Sequence, residues 1–153
     1  MKFIVSALVA GMGLSGCQTV MPAPTGPHLV LTGVGRFAVF GDLSTRSRSG
    51  DQARLRSLQV VESGFEVDGR GFWGGWSWWA FDCAARTADR LDFASVSEGG
   101  IEGPAVPDSE PPYPAAPGGD AAELLAIACS GSGNAPTFRT VESAVRAGRQ
   151  ALD

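Results

Sequence analysis

Phe72-Trp73-Gly74-Gly75-Trp76-Ser77-Trp78-Trp79-Ala80-Phe81 runs directly into Asp82-Cys83, and how this stretch is read decides the fold. It holds all four tryptophans of the chain. As a strand from Trp76 to Cys83, it puts Trp76, Trp78 and Ala80 on one face and Ser77, Trp79, Phe81 and Cys83 on the other. Both faces are then apolar at the tryptophans. That pattern suits a central strand covered on both sides, or a strand with one aromatic face open to a partner. The expected division turns one face toward C-terminal helices and leaves the other exposed or in a dimer contact.

Strand signals flank this segment. Phe37-Ala38-Val39-Phe40 is a β-prone run, Ser47 to Asp51 is a turn cluster, and Ala53, Leu55, Ser57, Gln59 and Val61 alternate with Arg54, Arg56, Leu58 and Val60, so one hairpin is expected here. Phe65 to Val67 is a short strand closed by Asp68-Gly69, a pair suited to a tight hairpin turn. After the tryptophans, Arg86 to Arg90 reads as a turn, and Leu91, Phe93 and Ser95 alternate with Asp92, Ala94 and Val96 in a further strand. Residues 99–119 carry six prolines and read as a long extended surface loop. Asp120 with Glu123 resembles a capping box, so a short helix is expected over Ala121 to Cys129, with Leu124, Ile127 and Ala128 facing the sheet. Phe138, Val141, Val145 and Leu152 recur close to helical spacing and predict a C-terminal amphipathic helix. The fold class is therefore α+β: an antiparallel sheet, one short helix, and a C-terminal amphipathic helix.

The N-terminus reads differently. Met1-Lys2 is a positive start and Phe3 to Leu14 an apolar run of secretory-signal length. Leu14-Ser15-Gly16-Cys17 resembles the lipobox of bacterial lipoproteins, in which two small residues admit the peptidase and the cysteine thiol takes up the lipid. The resemblance implies a signal peptide over residues 1–16 and a mature chain that begins at lipidated Cys17, anchored to a membrane without spanning it. Gln18 stands where Asp would signal retention in the inner membrane of a Gram-negative cell, so the outer membrane is the expected location. Thr19 to Pro27 has three prolines and no charge. Residues 17–28 read as an extended tether that ends at His28, and residues 29–153 as the folded domain.

With Cys17 given to lipid, Cys83 and Cys129 remain in an oxidising compartment, and a disulfide is the simplest outcome. It would pin the short helix to the strand carrying Cys83. A free thiol or a metal pair is the competing reading, and neither cysteine has a histidine nearby in sequence. Removing the leader with its single lysine, Lys2, leaves 11 arginines against 16 acidic residues, a net charge of −5. No basic block neutralises phosphates, so no nucleic-acid partner is expected. With His28 alone, most metal clusters and histidine-based triads cannot be assembled, and no cofactor is expected. The reading is non-enzymatic. A deep cleft in which Asp82 faced Asp92 or Asp68 would reverse it.

Taken in order, an apolar strand ending in Asp42-Leu43-Ser44, a turn at Ser49-Gly50-Asp51, a strand ending in Asp82-Cys83 with Arg86 close behind, then Pro117-Gly118 and Cys129, resembles the surface-adhesin protein E family. The resemblance covers about Phe37 to Cys129 and implies an antiparallel sheet with a helix, tied by one disulfide. Members bind host matrix and serum proteins such as laminin, vitronectin and plasminogen. The absence of lysine from the mature chain departs from what a lysine-gripping kringle requires, so plasminogen is not an expected ligand. The expected function is adhesin-like binding of a protein or glycan partner, with Trp73, Trp76, Trp78 and Trp79 as candidate partner-binding aromatics. The alternative is a structural envelope lipoprotein that contacts another envelope component or its own copy, with the tryptophans as core or dimer interface.

Overall fold

A computed structural model describes residues 26–131 and 135–153. The expected signal peptide, the expected lipidation site Cys17 and most of the expected tether lie outside the described residues. Among the described residues ten strands and two helices follow in the order β1 (Leu29–Val34), β2 (Ala38–Ser49), β3 (Gln52–Val60), β4 (Glu66–Val67), β5 (Arg70–Asp82), β6 (Thr87–Arg90), β7 (Asp92–Ser97), β8 (Val106–Pro107), β9 (Tyr113–Pro114), α1 (Asp120–Ser130), β10 (Thr137–Phe138) and α2 (Val141–Leu152). Every pairing is antiparallel, in the order β10-β1-β2-β3-β5-β6-β9, with β7 also on β5. The class is α+β, dominated by the sheet.

The tryptophan segment is a central strand, paired along β3 from Gln52↔Asp82 to Val60↔Gly74. The turn Asp68-Gly69 has positive φ at both residues (51° and 72°), the geometry that a type I′ hairpin requires. A bulge at Gly74 then interrupts the pairing with β7. The carbonyl of Gln59 crowds Gly74 so closely that a Cβ there would overlap it. The bulge reverses the alternation, so Phe72 lines the same groove as Gly75, while Trp73 packs with the residues under α2.

Both faces of the sheet receive a helix, which corrects the expectation that the helices share one face. On one face, Val39, Ala53, Leu55, Trp79, Phe81 and Ala88 pack under Leu124, Leu125, Ala128 and Cys129 of α1. On the other, Ala38, Phe40, Leu58, Val60, Trp76, Ala94 and Val96 pack under Ala144 and Val145 of α2. Gly148 lets α2 approach Phe40, Ala38 and Val60 closely. Covering both faces explains why β3 is buried at Ser57, Leu58 and Val60 alike and does not alternate cleanly there.

α1 is tied down by covalent and charged contacts. Cys83, just past β5, is bonded to Cys129 with Cα atoms 5.8 Å apart. The last turn of α1 has no basic residue of its own. Arg46 Nε of β2 donates to the Ala128 carbonyl at 2.7 Å, and Arg48 donates to that of Cys129, so two arginines satisfy the helix end. α2 is held at the other end of β5, where Arg149 donates to the carbonyls of Val61 and Phe72.

Several local expectations change. Leu29–Val34, outside the expected strands, is β1, and the His28 backbone already belongs to the fold: its N–H donates to Asp42 Oδ1 and its carbonyl accepts from Leu43. Arg86 to Arg90 is mostly strand: Arg86 closes the turn with φ 57°, and Thr87–Arg90 pairs with β5. The capping box does not form, because Gly119 is the N-cap of α1 and no side chain caps it, while the Glu123 carboxylate lies over Gly33. Phe138 belongs to β10, and α2 begins after Thr140, whose side chain accepts from the Ser143 N–H. The proline-rich loop carries the two-residue strands β8 and β9, which pair with β7 and β6.

Candidate functional site

The four tryptophans divide in pairs. Trp76 and Trp79 are core residues, 6% and 4% exposed. Trp79 stacks on Phe81 with centroids 6.0 Å apart, and its indole N–H donates to Ser57 Oγ at 2.9 Å, so its polar atom is satisfied inside. Trp76 lies under the Arg56 guanidinium, 4.5 Å from the ring centroid. Trp73 and Trp78 are half-buried and stand apart: Trp73 borders a depression with Glu142, Val145 and Arg149 of α2, and Trp78 borders a groove with Arg54 and Asp92. The structure therefore does not bring the four rings together as one platform.

An apolar depression is built from phenylalanines. α1 covers the cystine end of its face and leaves the other end open, where Phe37, Val61, Phe65, Val67, Phe72 and Phe93 line a cavity of about 290 Å³. Gly75 forms its floor because a Cβ there would meet the Phe93 ring. The only lining side chains with polar groups are those of Gln59 and Ser95. Phe65 and Phe93 are 37% and 39% exposed, and Val67 48%. These apolar side chains thus stay partly open to solvent together, around one groove. The sequence signal was the placement of Phe65 and Phe72 on either side of the Asp68-Gly69 turn, which the neighbouring tryptophans overshadowed.

The carboxylates named as an enzymatic alternative occupy separate places. Asp82 ends β5, where the Ala85 and Ala84 backbone N–H groups and Gln52 donate to it; the first of these contributes most to holding its pKa below the usual carboxylate value. Asp92 accepts from the Trp78 backbone N–H at 2.7 Å, and Asp68 sits in the hairpin turn at the far end of β5. Among the described residues no group of three or more His, Cys, Asp or Glu is placed to hold a metal ion, and no helix is long and apolar enough to cross a membrane. Comparison with known protein families, curated proteins and solved structures found no match to this chain.

Proposed function

We propose that this chain is a non-enzymatic binding module of a bacterial cell envelope, held at the outer membrane by lipid on Cys17, and that it takes a protein partner through the phenylalanine groove. The lipobox and tether support the location, and the likeness to the surface-adhesin protein E family supports binding as the activity. The observation that carries the reading is the half-open groove of Phe37, Phe65, Phe72 and Phe93. Its lining offers a partner large apolar contact area and few hydrogen bonds, which fits apolar side chains and not a sugar. A groove of this size takes one or two anchoring side chains, the usual centre of a protein contact.

A photoreactive amino acid placed at Phe93 or Phe65 in the full lipidated chain, activated in intact envelopes, tests this directly. A crosslink to a different protein is the expected result. A crosslink only to a second copy would favour the structural alternative, and no crosslink from either position would remove the groove as a contact site. Mass spectrometry of the membrane-extracted protein should find an acylated N-terminus at Cys17. A mature chain with Cys17 unmodified would overturn the anchor while leaving the groove test intact.

A further inference from the structure

The face under α2 also keeps an open half, with different chemistry. Beyond the end of α2, Trp78 of β5 and Arg54 of β3 join Thr45, Ser47, Leu91 and Asp92 around a groove of about 330 Å³. The sheet register places Arg56 opposite Trp78 and Arg54 opposite Ala80, so arginines and indole rings interleave on one surface.

The two arginines differ in how they are held. Arg56 covers the Trp76 ring and pairs with Glu102, so its cation is already matched. Arg54 stands 5.8 Å from the Trp78 centroid, is exposed, and takes part in none of the three ion pairs among the described residues. Its planar fork therefore lies over part of the half-buried indole, with its hydrogen-bond donors unspent. The Trp78 backbone is fixed from behind: its main-chain N–H donates to Asp92 Oδ1 at 2.7 Å, and its carbonyl accepts from the Leu91 N–H at 2.8 Å. That leaves Asp92 its second carboxylate oxygen. The Thr45 hydroxyl is consumed, donating to the Asp42 carbonyl and accepting from the Arg56 N–H, so Thr45 is wall. Ser47 is exposed at the rim with its hydroxyl available.

We infer that this groove binds a pyranose bearing a carboxylate, a hexuronate unit of an acidic polysaccharide. The apolar C–H face of the ring lies on the part of the Trp78 indole that Arg54 leaves open, hydroxyls donate to the free oxygen of Asp92 and meet Ser47, and the carboxylate takes the Arg54 fork at the edge of the stack. Each competing ligand wastes part of this set. A bare sulfate or phosphate would meet Arg54 and leave the indole face and the Asp92 acceptor unused; a neutral sugar would leave Arg54 unengaged; an acidic peptide would leave the fixed acceptor and the indole face without hydroxyls and a ring to bind. The site lies on the opposite face of the sheet from the phenylalanine groove and does not depend on it.

The test is calorimetric titration of the full lipidated chain in detergent with trigalacturonate, and with maltotriose, sodium sulfate and triglutamate in parallel. Trigalacturonate should bind saturably and about tenfold more tightly than maltotriose, as one charge-assisted hydrogen-bond pair warrants. Arg54→Gln, at an exposed side chain, should erase that preference without moving the thermal midpoint, and Trp78→Ala should abolish binding of both sugars. Phe93→Ser, on the other face, should bind trigalacturonate as the parent does. Equal affinity for trigalacturonate and maltotriose, equal binding of sulfate or triglutamate, or no saturable uronate binding would each overturn the inference. So would a uronate preference that survives Arg54→Gln, a readout that stands even if Trp78→Ala fails to fold.

Discussion

One sheet presents two open quarters, and they have opposite chemistry. α1 sits on one face at the cystine end of β5 and α2 on the other face at the Arg149 end, so the helices occupy diagonally opposite quarters and each leaves part of its face uncovered. Beside α1 the open half is a phenylalanine groove; beside α2 it is an arginine–tryptophan shelf with a fixed carboxylate. β5 contributes to all four quarters. Its alternation sends Trp79 and Phe81 under α1 and Trp76 under α2, and Trp78, on the Trp76 face but two residues nearer the cystine, falls beyond the reach of α2. The difference teaches that helix placement decides which tryptophan is structural, and residue type does not.

Alanine at each tryptophan of the central strand is the strongest way to break that comparison. Trp79→Ala should cost ~3–5 kcal/mol, because it empties a buried site and strips Phe81 of its stacking partner. Trp78→Ala should cost under about 1 kcal/mol. Urea unfolding at constant m-value reads both. A large loss at Trp78 would mean that the shelf is core and not surface.

Cutting the cystine separates the two helices energetically. The Cys83–Cys129 bond closes a loop of 46 residues, so Cys83→Ser with Cys129→Ser should lower stability by up to roughly 4 kcal/mol on the chain-entropy estimate. Amide exchange should rise first in α1, whose end the bond anchors, while α2, held by Arg149, retains its protection. Equal loss in both helices would show that the faces are one cooperative unit.

Phe93→Ser sharpens the contrast between groove and core. Phe93 is 39% exposed and sits at the rim, so folding stability should fall by about 1 kcal/mol or less, while partner crosslinking from Phe65 should drop sharply. A stability loss without loss of capture would assign Phe93 to packing alone.

Much of this arrangement was legible in the sequence, and the failures have physical causes. The alternation of β5 from Trp76 to Asp82, the Asp68-Gly69 turn and the pairing of Cys83 with Cys129 follow from local periodicity, turn chemistry and cysteine arithmetic. The faces of the helices did not follow, because two helices after one sheet can dock on the same side or on opposite sides with the same amphipathic pattern. β1 was missed because Leu29 to Val34 adjoins a proline-rich tether, and only its tertiary pairing with β2 and β10 makes it a strand. The capping box failed at Asp120 because Glu123 was drawn to lie over Gly33, a contact distant in sequence. The groove was obscured by the bulge at Gly74: strict alternation assigns Phe72 to the wrong face. Arg54 and Asp92 carried no local signal, since their meaning lies in standing beside Trp78.

The smallest expected effects are in the pH dependence, and they carry opposite signs along the α1 face and the loops that edge it. Asp82 and Asp108 are held below the usual carboxylate pKa of 3.8, the first mainly by the Ala85 N–H, the second mainly by the Glu110 N–H with Arg90 adding to it. Each stabilises the fold when ionised, so its contribution is complete above the unfolded value and is lost as pH falls through the lower folded one. Asp120, at the start of α1, is pushed up by burial. Its folded form prefers the proton, so its contribution is complete below the unfolded value and disappears as pH rises through the higher folded one. Asp82→Asn should therefore flatten the fall in thermal midpoint below about pH 4, whereas Asp120→Asn should raise the midpoint slightly at pH 7 and leave it unchanged at pH 3. Both substitutions keep a side-chain oxygen in place, which isolates charge from hydrogen bonding. A lowered midpoint at pH 7 in Asp120→Asn would show that the helix N-terminus stabilises the carboxylate by more than burial opposes it.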